Sequence, residues 1–339
     1  MSIGTQPRIS LAALPTPLTE AKNLRAALGG AERCPRMLIK RDDLTGLAFG
    51  GNKARKLEFL VADAMRQDAT ILVTSGAVQS NHARMTAAAA RIAGMKACLV
   101  LTAKGPEPPV QGNLLLDRLL DAEVRFVMPG EDADERIAEA VVELRDRGER
   151  PYLIPVGGSN AIGALGYVTA TLELVAQLFV MGEAPSRLYY ASGSRGTQAG
   201  LALGAKVYSA PYRLYGIAVS GGDPEKTERA VAIANEAAEM LRVPTRLTAD
   251  ELLTDEGYIG EGYGIPTAAC LEAIRLLAHT EAIFLDPVYS GKAMAGMIAH
   301  IRRGDISPHE TVVFLHTGGS PALFAQVDQL RDCIEKPSG

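Results

Sequence analysis

The stretch Gly50-Gly51-Asn52-Lys53-Ala54-Arg55-Lys56-Leu57-Glu58 places a lysine on the first turn of a predicted helix, directly after a glycine pair. Apolar residues recur behind the lysine at helical spacing, which predicts that the helix buries one stripe; they are Leu57, Leu60, Val61, Ala64 and Met65. Lys53 and Lys56 lie three residues apart and therefore share a face. Lysines on a surface helix usually point to water. The motifs in the rest of the chain instead favour the interpretation that Lys53 contacts a ligand.

The overall composition is that of a globular protein. The 339 residues, 47% of them hydrophobic, suffice for one large or two medium-sized domains. The net charge is -4, and no basic cluster is longer than Arg302-Arg303. This charge balance argues against nucleic acid or an acidic membrane surface as the main partner.

Cysteines, histidines and the first residues bear on the compartment. The four cysteines, at 34, 98, 270 and 333, lie far apart, and the five histidines do not cluster with them. This spacing predicts no metal site and a reduced, cytoplasmic protein. Residues 1–8 contain no apolar core of signal-peptide length, and charge or glycine interrupts every long apolar stretch. We therefore expect a protein that is neither exported nor membrane-spanning.

Short apolar runs alternate with helical patterns along the chain, which is typical of an α/β protein with parallel sheets and crossover helices. The predicted strands are 37–40, 70–74, 97–102, 124–127, 152–155, 187–191, 213–219, 283–285 and 311–315. The predicted helices are 53–66, 81–93, 111–121, 133–148, 163–181, 197–208, 224–242, 266–279, 291–303 and 320–332.

The turn at 156–160 has the composition of a hinge between two series of strands and helices. We expect a smaller α/β domain, 53–160, inserted into a larger domain formed by 1–52 and 161–339. A cleft between the two domains would then bind a ligand.

Three glycine-rich turns follow predicted strands and open predicted helices, at 156–160, 192–197 and 317–320. Backbone N–H groups and hydroxyls at a helix N-terminus bind phosphate, so we interpret the turn Ser192-Gly193-Ser194-Arg195-Gly196-Thr197 as a phosphate loop. Its spacing is neither that of a Walker loop nor that of the dinucleotide fingerprint, which favours a smaller phosphate. The alternative is that these glycines only allow turns to pack tightly beneath helices.

A second group of polar residues surrounds a strand-to-helix turn, in Thr74-Ser75-Gly76-Ala77-Val78-Gln79-Ser80-Asn81-His82. A turn at a helix N-terminus suits a carboxylate, although Ser80 or Asn81 could simply cap the helix. Later in the chain, Tyr263 and Tyr289 lie in loops beside glycine and proline. A tyrosine in such a loop either packs or lines a site.

Together these segments resemble the pyridoxal 5'-phosphate enzymes with the fold of the tryptophan synthase β-subunit, and within them the group of D-cysteine desulfhydrase and 1-aminocyclopropane-1-carboxylate deaminase. The resemblance covers nearly the whole chain, through the motifs 14–18, 40–43, 50–58, 79–82, 163–167, 192–197, 262–266, 286–292 and 316–320. It implies fold type II: two open, twisted, mostly parallel sheets with helices on both faces and the cofactor in the interdomain cleft. We also expect a homodimer.

The resemblance further implies a role for each site residue. Lys53 would form the Schiff base with the cofactor, and Lys56 would hold the phosphate together with the loop of Ser192, Gly193, Ser194, Arg195, Gly196 and Thr197. Asn81 would bind the ring oxygen, and the substrate carboxylate would be bound by Gln79, Ser80, Asn81 and His82. Ser80, Tyr263 and Tyr289 would act on the reacting face, with Tyr289 near the ring. Arg195 replaces the small residue usual in this loop and either turns outward, reinforces phosphate binding or marks a diverged specificity.

The residue after Tyr289 bears on the substrate. The cyclopropane deaminases resemble Asp-Pro-Val-Tyr-Glu at this point, where this chain has Ser290. A hydroxyl from Ser290 or Thr317 cannot stabilise a protonated ring nitrogen as a carboxylate does, so we expect elimination of a good leaving group from a sulfur amino acid.

D-cysteine, yielding pyruvate, hydrogen sulfide and ammonia, is the expected substrate, with L-cysteate and then the cyclopropane amino acid as alternatives. A non-catalytic binding protein on the same scaffold is the alternative from another class, and a dehydrogenase is a weaker enzymatic one.

Overall fold

The computed structural model describes residues 3–222 and 224–335. Its strands are β1 Leu18–Glu20, β2 Arg36–Arg41, β3 Ile71–Ala77, β4 Lys96–Thr102, β5 Glu123–Val127, β6 Pro151–Ile154, β7 Arg187–Ser192, β8 Arg213–Ala218, β9 Thr254–Asp255 and β10 Thr311–His316. Its helices are α1 Lys22–Ala27, α2 Lys53–Arg66, α3 Asn81–Ile92, α4 Gly112–Leu119, α5 Ala133–Asp146, α6 Ala161–Met181, α7 Gly196–Val207, α8 Pro224–Met240, α9 Ala268–Glu281, α10 Ser290–Arg302 and α11 Val327–Glu335.

The strands form two sheets. One has the order β1-β2-β10-β7-β8-β9 and is parallel except for β1, which pairs antiparallel with β2. The other has the order β5-β4-β3-β6, and all its pairs are parallel. The expected α/β fold with two mostly parallel sheets is confirmed. The division into domains 53–160 and 1–52 with 161–339 stays a prediction, and its residues 1, 2, 223 and 336–339 lie outside the described part, as does the side chain of Cys333.

Helices cover both faces of the larger sheet, which explains why its central strands are apolar throughout. In β10, Phe314 packs in a cluster with α9 and α10. Val313 and Leu315 point to the other face and pack with α6 and α7. Alternate residues of a strand face opposite sides, so a strand buried on both faces consists of a continuous apolar run.

Two sequence predictions of secondary structure are wrong. Residues 283–285 lie in a coil segment between α9 and α10, where Ile283 and Leu285 fill the core without strand pairing. The helix predicted over 320–332 is instead a 3₁₀ helix, Ser320–Ala325, followed by α11.

A buried ionic cluster anchors α2 against the larger sheet. Arg55 donates from Nε to Asp42 Oδ2 at 2.9 Å and from Nη2 to Asp42 Oδ1 at 2.8 Å. Thr16 and Tyr167 also donate hydroxyl hydrogens to this carboxylate, at 2.8 and 2.6 Å. Asp42 and Arg55 are almost completely buried, so each charge in this cluster is stabilised by its charged partners and not by water.

Close packing of α6 also holds α2 in place. A Cβ atom at Gly166 of α6 would lie 2.3 Å from the carbonyl oxygen of Arg55, which no side chain could tolerate. The glycine therefore lets α6 lie directly on the first turn of α2. By length and composition α6 is apolar enough to cross a membrane, but 50% of its most apolar window is buried within the fold.

Candidate active site

A cavity of about 440 Å³ lies at the carboxyl ends of strands from both sheets. Ala77, Ala191 and Thr317 mark the ends of β3, β7 and β10 on its wall. Ligands of parallel α/β sheets bind at this edge because loops and helix N-termini converge there. Most of the predicted site residues line the cavity: Lys53, Ser80, Asn81, His82, Ser192, Gly193, Ser194, Arg195, Thr197, Tyr263, Tyr289 and Thr317.

Lys53 is the first residue of α2 and borders this cavity. Its Nζ donates to Asn52 Oδ1 at 2.9 Å, and Asn52 Nδ2 in turn donates to Thr197 Oγ1 at 3.0 Å. Loss of hydration and, to a smaller extent, the charge of Arg84 lower the pKa of Lys53 to about 8, while Asp286 opposes the shift. A large fraction of this amine is therefore neutral near pH 8, the form that can act as a nucleophile or base.

The loop 192–197 leads into the N-terminus of the 12-residue helix α7. A Cβ atom at Gly196 would lie 2.6 Å from Lys56 Nζ and 2.8 Å from Ser159 Cα. Ser159 Oγ also donates to Ser194 Oγ at 2.8 Å. Glycine at 196 therefore lets the loop pack directly on Lys56 and Ser159, which holds the start of α7 and its amides beside the cavity.

Lys56 lies behind the loop rather than on the cavity wall. It is buried, and its Nζ donates to the carbonyl oxygen of Gly157 at 2.5 Å. Burial, with the charges of Lys53 and Arg229, lowers its pKa well below the ordinary value for lysine. An anion bound in the loop would supply a counter-charge and so offset the free-energy cost of burying a protonated Lys56.

Arg195 turns inward, not outward. Only 4% of it is exposed, and its Nη1 donates to Thr254 Oγ1 at 2.5 Å, to Gln198 Oε1 at 3.0 Å and to Ser192 Oγ at 3.3 Å. The residue has a left-handed backbone, with φ of 66°, a conformation that favours glycine. The guanidinium therefore connects the loop to β9.

The turn before α3 combines capping with a binding surface. Ser80 caps the helix by accepting from the backbone N–H of Ala83 at 3.1 Å, as the capping alternative predicted. The carbonyl oxygen of the Asn81 side chain accepts from Arg84 and Asn113, each at 3.0 Å. Its Nδ2 donor then remains for a ligand in the cavity.

His82 and Gln79, the neighbours of Ser80 and Asn81, differ in their hydrogen bonds and in their position relative to the cavity. Thr74 Oγ1 donates to the carbonyl oxygen of Ile154 at 2.8 Å, so His82 Nε2, 2.9 Å from the same hydroxyl, must be the protonated nitrogen. Burial and the charges of Lys53 and Lys56 lower the pKa of His82 well below its usual value. Nδ1 then carries no hydrogen, and it has no hydrogen-bond partner among the described residues. Gln79 does not line the cavity and instead accepts from the backbone N–H of Asn113 at 2.8 Å.

Tyr263 and Tyr289 meet on one wall of the cavity. Their hydroxyls share a short hydrogen bond, and their rings pack edge to face, with centroids 5.8 Å apart. Burial and the adjacent Tyr263 hydroxyl raise the pKa of Tyr289 well above its ordinary value. The pair therefore presents protonated hydroxyls to a ligand.

Ser290 lies at the start of α10 and not on the cavity wall. Its Oγ donates to Asp286 Oδ1 at 2.6 Å and accepts from the backbone N–H of Asp286 at 2.8 Å. This hydroxyl is therefore already used within the helix cap. Of the two hydroxyls that sequence suggested as ring partners, that of Thr317 borders the cavity.

Sequence reasoning missed five residues with polar side chains on the cavity wall: Asn52, Gln198, Ser220, Lys226 and Arg229. Lys226 and Arg229 lie three apart on α8, a spacing typical of an ordinary solvated face. Asn52 lies in the stretch 50–58 of the sequence. Its position between the glycine pair and Lys53 could have identified it as a site residue.

The profile of the pyridoxal-phosphate dependent enzyme family matches residues 9–318 of this chain. The chain belongs to this family. The family relationship confirms the cofactor inferred from sequence, pyridoxal 5'-phosphate. A D-cysteine desulfhydrase from Salmonella typhi is 43% identical over 94% of this chain and 96% of its own length. One from Salmonella choleraesuis is 42% identical over the same shares.

Solved structures place this pyridoxal-phosphate dependent enzyme in the same fold. An ACC deaminase homologue is 37% identical with a TM-score of 0.87, covering 98% of this chain and 97% of the other. A threonine deaminase from T.th. is 26% identical with a TM-score of 0.60, covering 90% and 92%. These neighbours confirm the fold type II architecture.

The residues present fit this cofactor. Gly196 lets the buried amine of Lys56 approach the N-terminus of α7, since a Cβ atom there would lie 2.6 Å from Lys56 Nζ. A phosphate at this helix end would therefore have helix amides and a cation beside it. Lys53 offers an amine of lowered pKa on the same cavity. The donor Nδ2 of Asn81 suits the ring oxygen, so phosphate, aldehyde and ring oxygen each have a partner of matching chemistry.

Proposed function

We propose that the enzyme catalyses α,β-elimination from D-cysteine, in which D-cysteine and water give pyruvate, hydrogen sulfide and ammonia. The observation that carries this proposal is the charge of the cavity wall. Among the described residues that line it, the charged side chains are cationic and none is a carboxylate. Near-full-length similarity to D-cysteine desulfhydrases at 42–43% identity supports the choice of substrate.

A wall without carboxylates limits the chemistry in a particular way. When bound, the cofactor withdraws electrons from the substrate α-carbon. The Thr317 hydroxyl, our proposed partner of the ring nitrogen, supplies no negative charge to keep that nitrogen protonated. The site therefore favours loss of a thiol, which leaves readily, over opening of a carbon ring.

We assign the proton transfers and the binding of the substrate carboxylate to a few side chains and amides. Lys53 takes the α-proton because its lowered pKa leaves a basic amine on the cavity. The first-turn amides of α3, with the hydroxyl of Ser80, bind the substrate carboxylate. Tyr263 and Tyr289 hold a proton at the leaving sulfur, since their shared hydrogen bond keeps both hydroxyls on the reacting wall.

A product assay on the holoenzyme tests the proposed function. D-cysteine, L-cysteine, L-cysteate and 1-aminocyclopropane-1-carboxylate are supplied separately, and sulfide, sulfite, pyruvate and 2-oxobutyrate are measured. We expect sulfide and pyruvate in equal amounts from D-cysteine and little 2-oxobutyrate. If sulfite from L-cysteate were the main product, L-cysteate would take the place of D-cysteine as the proposed substrate. Efficient 2-oxobutyrate formation without elimination from any sulfur compound would overturn the argument from the cavity charge.

Phosphate binding should depend more on the loop backbone than on Arg195. In Gly196→Val the new side chain would press on Lys56 and Ser159, which should weaken cofactor binding about tenfold or more. Arg195→Ala should weaken it less. Equilibrium dialysis of the holoenzyme against graded cofactor measures both.

Gly105→Val is the matched control, because a Cβ atom there meets nothing within 4 Å. A larger loss in Arg195→Ala than in Gly196→Val would make Arg195 a direct ligand instead.

We further propose a cytoplasmic homodimer. Phe179 and Val180, at the end of α6, are 86% and 84% exposed, and a second copy that covers them would remove apolar surface from water. The described cysteines Cys34, Cys98 and Cys270 are buried and form no disulfide with one another, which supports a reducing compartment.

A further inference from the structure

A guanidinium is sealed into the protein beside the cavity. Arg84 lies in the first turns of α3 and is fully buried. Its Nη2 donates to the carbonyl oxygen of Gly50 at 3.0 Å. Its Nη1 donates to Asn81 Oδ1 at 3.0 Å and to Asn113 Oδ1 at 2.7 Å. One side chain therefore contacts both the glycine pair before Lys53 and the asparagine proposed to bind the ring oxygen.

These contacts fix the orientation of two groups that the cofactor needs. Asn113 Nδ2 also donates to Asn81 Oδ1, at 3.0 Å, so two donors determine which end of the Asn81 amide faces the cavity. Gly50 has φ of 70°, a conformation that glycine adopts readily, and the hydrogen bond from Arg84 fixes the direction of its carbonyl. Arg84 is the partner common to both segments.

The charge of Arg84 also reaches Lys53. Burial lowers the pKa of Arg84 to about 10, so it stays protonated at neutral pH, and its charge helps to lower the pKa of Lys53. The other titratable or charged groups around Lys53 are Asp286, Lys56 and His82.

The counter-charge of Arg84 is Asp117 on α4. Burial raises the pKa of Asp117 to about 7, and Arg84 opposes that shift. In the described part of the chain, both carboxylate oxygens of Asp117 and Nε of Arg84 lack a protein partner. Asp117 therefore interacts with Arg84 through its charge and not through a direct hydrogen bond.

We propose that Arg84 is a positioning residue for the cofactor site: its fork holds the Gly50 carbonyl and the Asn81 amide in place, while its positive charge disfavours a second positive charge on the nearby nitrogen of Lys53. This inference rests on the roles proposed above for Lys53 and Asn81. It gives the guanidinium two separable functions, one geometric and one electrostatic.

Two substitutions separate these functions. Arg84→Lys keeps the charge but loses the fork, so it should weaken cofactor binding about tenfold or more and leave unchanged the pH midpoint of the cofactor's visible absorbance. Arg84→Met loses both, so it should weaken binding similarly and also raise the midpoint. Dialysis of the holoenzyme and a spectroscopic pH titration measure the two effects. If Arg84 only supported the fold, the two variants should have the same pH midpoint. A midpoint that rises in Arg84→Met but stays at the wild-type value in Arg84→Lys therefore shows an effect of the charge.

Arg91→Lys is the matched control on the same helix, because that guanidinium bonds at the surface with Asp121. Cofactor binding at the wild-type level in Arg84→Lys overturns the geometric function, and an unchanged midpoint in Arg84→Met overturns the electrostatic one. If neither Arg84 variant folds, Asn113→Ala tests the geometric function, because it removes the acceptor that anchors Arg84 Nη1 and the second donor to Asn81 Oδ1. It should weaken cofactor binding with the midpoint unchanged, and binding at the wild-type level overturns the geometric function. None of these measurements uses an amino-acid substrate, so a failure of the proposed elimination would be recognised separately.

Discussion

Replacing Lys53 by alanine is expected to lower sulfide release from D-cysteine by about a thousandfold or more, because it removes both the covalent attachment of the cofactor and the proposed base. The phosphate loop is untouched, so the variant should fold and still bind cofactor by its phosphate. Its visible absorbance should become that of the free cofactor. Sulfide assay, absorbance and a urea unfolding curve test the three statements.

Lys96→Ala is the control for this experiment, since that lysine is largely exposed and pairs with Glu149 at the surface. It should keep the rate and absorbance of the wild type. If Lys53→Ala turned over normally, or if its cofactor remained attached to another lysine, the central assignment of this site would be wrong.

Asp42→Asn is expected to lower the free energy of unfolding by about 3–5 kcal/mol, because breaking a buried ion pair strands the remaining charge. Among the described residues, Arg55 would keep only Glu173 as an anionic partner. Urea unfolding at pH 7 measures the loss. Asp121→Asn is the control: its ion pair with Arg91 is exposed and should contribute less than about 1 kcal/mol.

The effect should also depend on pH in one direction. Burial pulls the pKa of Asp42 upward, but the charge and hydrogen bonds of Arg55 outweigh it and the net pKa is lowered. A carboxyl whose pKa is lowered on folding stabilises the protein above its unfolded pKa of about 4, and this contribution disappears as the pH falls below that value. The difference between wild type and Asp42→Asn should therefore be full at pH 7 and shrink below about pH 4. A difference that stays constant would show that Asp42 acts through shape alone.

The parts of the fold that sequence predicted well are those with local causes. Helix α2 begins at Lys53 as predicted, because the glycine pair and the apolar stripe both lie within a few residues of it. The coil at 283–285 was mistaken for a strand because Ile283 and Leu285 are buried as strand residues would be. Burial against helices and burial within a sheet leave the same short apolar pattern.

The site residues also divide into those that local motifs predict and those that only the tertiary structure brings to the cavity. Lys53, Asn81 and the loop 192–197 belong to local motifs, and the structure brings them to one cavity. Lys226 and Arg229 reach that cavity only through the placement of α8, which no local pattern encodes. Ser290 could have been excluded, since Asp286 stands four residues earlier, where a side chain can accept from the start of a helix.

The loop after β10 closes the cavity against the glycine pair. A Cβ atom at Gly318 would lie 2.7 Å from Cα of Gly51, and the backbone N–H of Asn52 donates to the carbonyl oxygen of Thr317 at 3.0 Å. During synthesis on the ribosome, Lys53 is therefore made long before the wall that completes its site. A growing chain carries its reactive lysine without a place to hold the cofactor, so cofactor capture belongs to the last stage of maturation.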